Sequence, residues 1–232
     1  RYFAMAIDTL AMGNFPYPSN YMTGGPLLPA WPLHAACKAL QSSSGSALSR
    51  LRAASNLLNN ASASLPCLRL PDDDQYDGIW DYQWCTQTLP QESYFTRDPS
   101  RDAFPPSHVT RARVEAHCQR KYGVTPRWGW IAASYGGDRA LRSSSNVILS
   151  NGALDPWSSG GVLKNISETV TAVIIPHGAH HVDLFFSHEE DTPDITHARA
   201  VEVAAIARWL KEPPPTPSQL GLSRPFPEEA LS

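Results

Sequence analysis

Two short apolar runs, Val147–Ile148–Leu149 and Thr171–Ala172–Val173–Ile174–Ile175, each lead into a polar turn that carries a titratable side chain. Asp155 follows the first run, and His177, His180 and His181 follow the second. In open α/β sheets chemistry gathers in the loops beyond the carboxyl ends of parallel strands, where an acid after one strand can meet a histidine after the next. Asp155 and His180 are separated by 24 residues, enough for one crossover and one strand, so both side chains can emerge at the same sheet edge. An Asp that accepts the Nδ1 proton of an imidazole is two thirds of a nucleophile-activating triad. Taken singly, an Asp–Pro turn is structural and a single His is a satisfied surface group; their combination favours catalysis.

The third member is harder to place. Ser134, in AASYGGD, looks like a nucleophile elbow with Ala132 in place of the first glycine, and the order Ser134, Asp155, His180 suits an α/β hydrolase. Only 20 residues lie between Ser134 and Asp155, too few for the elbow helix, the further strand and the further helix that such a fold needs there. Ser134 is therefore expected not to be the nucleophile.

The elements that must position these groups read as follows. Residues 1–13 suit a helix that ends before the proline- and glycine-rich NFPYPSNYMTGGPLLPAWP, an ordered loop anchored by Phe15, Tyr17, Tyr21 and Trp31. Pro32 opens a helix through Leu40, and a second helix presents Leu48, Leu51 and Leu58 on one face. Asp72, Asp73 and Asp74 form a solvated loop. WDYQWC frames Asp81 and Gln83 with large aromatics; it reads either as a Trp-anchored strand or turn with Asp81 as a local cap, or as a substrate contact. Thr110 to Tyr122 is a helix with Thr110 as N-cap and Gly123 as its left-handed terminator. Strands are expected near Trp128–Ala132, Asn146–Leu149 and Val170–Ile175, with a helix-like piece around Val162–Ile166. The last helix starts with Thr192 as N-cap and Pro193 at its first position, runs to Lys211, and lines up Ile195, Ala198, Val201, Ala205 and Trp209. Three strands are too few for a parallel sheet covered on both faces.

Composition narrows the function classes. The 232 residues are 42% hydrophobic and 18% charged, ordinary for a globular chain. A net charge of −3 without basic runs excludes the electrostatic footprint of a nucleic-acid or anionic-membrane binder. No apolar run approaches the roughly 20 residues that span a bilayer. Cys37, Cys67, Cys85 and Cys118 lack CxxC spacing, so no metal is expected; the three ways of pairing them into two disulfides cannot be ranked. Sequons stand at Asn60–Ala61–Ser62 and Asn165–Ile166–Ser167.

NFPYPSNY, LPAWPLHAACKAL, WDYQWCTQ, NVILSNGALDPWSSGGV and GAHHVDL resemble, in order and to about Leu210, the carboxyl-terminal half of the lysosomal Pro-X carboxypeptidase and dipeptidyl peptidase II family of serine exopeptidases. The resemblance implies an α/β fold, the carboxyl-terminal part of an α/β hydrolase with a helical cap, the sheet incomplete in this chain. Residues 1–100 would be the rear of the cap, 101–212 the final strands and helices of the core, and 213–232 a disordered tail. It implies that Asp155 orients the triad, that His180 is the base and His181 its neighbour, and that the serine lies in a G-G-S-Y-G-G elbow in an amino-terminal half absent here. S-Y-G-G at Ser134 is then a chance echo.

Asp81 makes WDYQ more similar to the dipeptidyl peptidase members. That implies release of N-terminal dipeptides ending in proline or a small residue, with Asp81, Gln83 and Trp157 as substrate contacts, Trp157 as a wall of the proline pocket or as core packing. The alternatives are a Pro-X carboxypeptidase and a non-catalytic fragment that binds peptides or a partner. The implied partners are a peptide substrate, the amino-terminal half carrying the serine, and a second copy in a homodimer, with no cofactor, nucleic acid or membrane. The implied location is the lysosome, another vesicle or the exterior, and the isolated chain is expected to be inactive.

Overall fold

The structure is a computed structural model that describes residues 2–42, 44–60, 64–67, 79–88 and 110–213. Three helices come first: α1 (Tyr2–Met12), α2 (Pro32–Gln41) and α3 (Ala47–Asn59). In α1 the buried Ala6 and Leu10 are four residues apart and so share one face, which meets Leu28, Ala36, Ala54 and Leu58. Pro32 at the first turn of α2 and the Ser46 hydroxyl, which accepts from Ser49 N–H at the start of α3, set the two starts. The expected leucine face of α3 is only partly realised. Leu58 is buried but Leu48 is 76% exposed, because α3 turns Ala54 and Leu58 toward α1 and α2.

WDYQWC is neither strand nor turn. It forms α4 (Ile79–Gln83), continued by a single π-helical turn, Trp84–Thr88. Helix α5 (Arg111–Tyr122) packs against it, capped by the Thr110 hydroxyl on Arg113 N–H and closed by Gly123 in the left-handed region, as expected. A Cys85–Cys118 disulfide ties the two together, while Cys37 and Cys67 are free and exposed. The strand expected over Trp128–Ala132 is instead the start of α6 (Trp130–Tyr135). Gly129 and Gly136 both adopt positive φ and bound it, and α7 (Gly137–Ser143) follows.

Strands β1 (Val147–Gly152) and β2 (Val170–Ile175) are parallel, in register from Val147 opposite Val170 to Gly152 opposite Ile175. They make up the sheet among the described residues. Their crossover holds a 3₁₀ turn at Pro156–Gly160 rather than a helix over Val162–Ile166; the Asn165 side chain accepts from Ala172 N–H there and so uses a strand donor to fix an irregular path. Helix α8 (Pro193–Trp209) covers one face of the pair through Ile195 and Ala198. Thr192 occupies its N-cap position without a capping bond. Phe15 and Tyr17 from the proline-rich loop complete this cluster with Ile175, Ala179 and Val182. The Asp72–Asp74 run and the tail beyond residue 213 lie outside the described residues.

Candidate active site

The close approach of two glycine turns creates the site. β1 ends at Gly152 and β2 at Ile175, side by side. The chain beyond β1 donates Ala153 N–H to Ile175 C=O (2.9 Å) and Leu154 N–H to Gly178 C=O (2.9 Å). A Cβ on Gly152 would overlap the Gly178 carbonyl, so the two loops touch only because residue 152 has no side chain. Asp155 stands three residues past Gly152 on the first loop, and His180 two residues past Gly178 on the second.

The Asp155 carboxylate is buried and fully oriented. Its Oδ1 accepts from Trp157 N–H (3.1 Å), the N-cap bond of the 3₁₀ turn, and its Oδ2 accepts from His180 Nδ1 (2.8 Å). With the Nδ1 proton so engaged, the His180 lone pair lies on Nε2, the tautomer of a general base. His180 N–H donates to Met12 C=O (3.1 Å), and Trp157 Nε1–H points to the Met12 sulfur (3.1 Å), so the end of α1 holds both loops. On α1, desolvation and then the charge of Asp155 push the Asp8 carboxyl up. The rings of Trp157 (centroids 6.0 Å) and Tyr21 (6.4 Å) flank the imidazole.

The other two histidines have different settings. The His181 ring lies 3.9 Å from that of His180, and burial, followed by the His180 charge, pushes its pKa down. His177 is exposed and pairs with Asp194 at the start of α8 (3.3 Å). Ser134 is an exposed residue inside α6, in helical backbone rather than a strained strand-to-helix elbow.

Asp81 lies apart from this pair. No part of its side chain reaches solvent, and it takes Tyr122 O–H (2.6 Å), His117 Nε2 (3.0 Å) and Lys121 Nζ (3.1 Å). Burial alone would raise its pKa, but the hydrogen bonds from Tyr122, Lys121 and His117 hold it below the usual carboxylate range. Asp81 thus joins α4 to α5 and caps nothing locally. Gln83 closes α4 two residues on. Asp81, Cys85 and His117 have ligand atoms within 4.8 Å of one another, yet Cys85 is in the disulfide and offers no thiolate, so the set does not suit a metal. What α4 does bring to the site is Trp80, whose ring stands edge-on to Trp157 with centroids 5.9 Å apart.

Trp80, Tyr21 and Met12 were beyond sequence reasoning, because each reaches the site through tertiary packing rather than motif spacing. The NG before Ala153 was a usable signal for the loop contact.

A parallel strand pair thus presents a buried Asp and an Asp-bound His from adjacent carboxyl ends, the arrangement that an acid–base pair of a hydrolase would need. The chain belongs to the serine carboxypeptidase S28 family, whose model matches residues 28–202. It is 35% identical over 209 residues to the lysosomal Pro-X carboxypeptidases of Homo sapiens and Pongo abelii, covering 88% of this chain and 41% of each relative. It is 30% identical over 236 residues to prolyl carboxy peptidase like protein 5 of Caenorhabditis elegans, covering 91% of this chain and 45% of that protein. The chain thus spans about two fifths of the length of the curated relatives it matches. The expected closeness to dipeptidyl peptidase II does not emerge from these relatives.

Proposed function

We propose that this chain supplies the acid and base of a serine exopeptidase that cleaves beside proline, with the nucleophilic serine contributed from outside these 232 residues. The observation that carries the reading is the 2.8 Å bond between His180 Nδ1 and the buried Asp155. In the reaction His180 Nε2 takes the serine proton as the hydroxyl attacks the scissile carbonyl, then returns it to the leaving amine; Asp155 keeps the tautomer and stabilises the imidazolium. Water then enters by the same route in reverse and releases the acyl group.

Between the two exopeptidase modes, release of a C-terminal residue after proline is the better supported. The relatives named above act under the name Pro-X carboxypeptidase. A dipeptidyl peptidase must bind a free amine with an acid, and the expected acid, Asp81, already accepts from three donors out of reach of solvent. Trp157, with Trp80 against it, offers an aromatic wall to a proline ring. The name of the same relatives supports a lysosomal location. In the full-length protein, an N-blocked peptide ending in Pro-X should lose its last residue in a fluorophosphonate-sensitive reaction. Cleavage confined to free-amine X-Pro amides, weakened in KM by Asp81→Ser, would reverse the choice.

A further inference from the structure

The irregular crossover between β1 and β2 carries one of the two sequons, Asn165–Ile166–Ser167, and lays it along the outer edge of β2. Alternate β2 residues turn their backbone groups toward β1, while Val170, Ala172 and Ile174 turn theirs outward. The sequon meets the first two. Val170 C=O accepts from Ile166 N–H (2.9 Å) and Ser167 N–H (3.2 Å), Ser167 Oγ accepts from Val170 N–H (3.0 Å), and Asn165 Oδ1 accepts from Ala172 N–H (2.9 Å). Ile174 continues that edge and is exposed. Asn165 is itself exposed, as are Leu163, Lys164 and Glu168 around it, and among the described residues its Nδ2 has no hydrogen-bond partner. The other sequon is built differently. Asn60 is 8% exposed and both ends of its amide are engaged, Nδ2 donating to Leu65 C=O (2.9 Å) and Oδ1 accepting from Leu65 N–H (3.0 Å).

A sugar joined to an asparagine replaces one Nδ2 proton and leaves Oδ1 able to accept. At Asn165 the folded arrangement survives that change, because the bond to β2 uses Oδ1 alone. At Asn60 the sugar would have to occupy close-packed interior. We propose that Asn165 is an N-glycosylation site, that Asn60 stays bare in the folded protein, and that the Asn165 glycan screens the outer edge of β2. An edge strand with open N–H and C=O groups is a template for another chain, and a bulky hydrated group beside Ala172 and Ile174 keeps such a chain away. In the transfer, Nδ2 bonds to the anomeric carbon of a lipid-pyrophosphate-linked oligosaccharide. The anomeric C–O bond breaks, the lipid pyrophosphate departs with the electron pair, and the Nδ2 proton passes to a base on the transferase. Occupancy rests on the vesicular location proposed above; the contrast between the two sequons does not.

Secretion of the full-length protein from a eukaryotic host behind a supplied signal peptide tests this, with the Cys85–Cys118 disulfide marking the molecules that entered the oxidising route. Enzymatic release of glycans in isotopically heavy water should convert Asn165, and not Asn60, to labelled Asp in most of these molecules. Asn165→Asp keeps the Oδ1 acceptor for Ala172 and should lose the mass of one glycan. It should also scatter light sooner than the glycosylated protein on warming, although its added negative charge works against aggregation. An unmodified Asn165 in disulfide-bonded molecules, or a glycan on Asn60 in the folded protein, overturns the assignment, and equal scattering of the two forms overturns the screening role. Entry that fails without the supplied signal peptide would count against the lysosomal location and leave this result standing.

Discussion

Asp155 and Gly152 separate two things that a single residue change can do. Asp155→Asn keeps an oxygen for Trp157 N–H but presents the wrong partner to His180 Nδ1, so kcat in the full-length enzyme should fall by about 10³–10⁴-fold. Its thermal midpoint should scarcely move; a variant that melts early with normal turnover would argue that the bond is structural. Gly152→Ala acts the other way. Its methyl would strike the Gly178 carbonyl, a backbone atom that cannot swing aside, and overpacking of this kind costs about 1–3 kcal/mol. A urea midpoint that drops together with activity would show the loops forced apart. Ser134→Ala, on the exposed face of a short helix, should leave both quantities unchanged. Asn60 shows a similar limit on reading side chains singly. As a sequon it invites a glycan, yet it is buried, with its side chain donating to Leu65 C=O and accepting from Leu65 N–H. Asn165 is the exposed alternative.

Elements with a strong local signature were legible from the sequence, and those governed by packing were not. β1, β2, α5 and α8 have a β-branched run, a Thr–Gly pair of ends, and a Thr-Pro start, and each was found near its place. The site pair was legible for the same reason, since both residues follow directly from strand ends. WDYQWC was misread because Trp, Tyr and Trp favour strands by propensity, while the buried Asp81 is satisfied only by side chains of α5, a long-range arrangement. WGWIAA failed likewise, with Gly129 acting as a helix boundary rather than a strand kink. The α4–α5 joint yields a prediction of its own. Asp81→Ala strands a Lys, a His and a Tyr around an empty carboxylate site, and breaking a buried ion pair from one side costs about 3–5 kcal/mol. Because the Asp81 pKa is depressed, its contribution is present above about pH 4 and disappears as pH falls through the lowered value. Acid unfolding of wild type and variant should therefore converge at low pH; parallel curves would refute the assignment.

Across the described residues, three clusters share the burial. One joins α1–α3, one joins the strand pair with α8 and the proline-rich loop, and one joins the π turn with α5. Each is small, so the covalent link in the third carries weight. Cys85 and Cys118 close a loop of 33 residues, a constraint worth about 4 kcal/mol in the chain-entropy account. Reduction should lower the melting temperature and free Trp80 from Trp157, which a change in tryptophan emission would register. An unchanged midpoint would show that α4 and α5 hold each other by the Asp81 cluster alone.

The hydrogen bond from His180 N–H to Met12 C=O joins the first helix to a loop far along the chain. A contact that spans so much sequence closes a very long loop and belongs among the last to form on a folding pathway. The strand pair and α8 can assemble from local contacts, but the base reaches its final position only when α1 has docked. A folding intermediate would thus have its sheet before its site, and refolding followed by backbone signals would finish ahead of the recovery of any chemistry at His180.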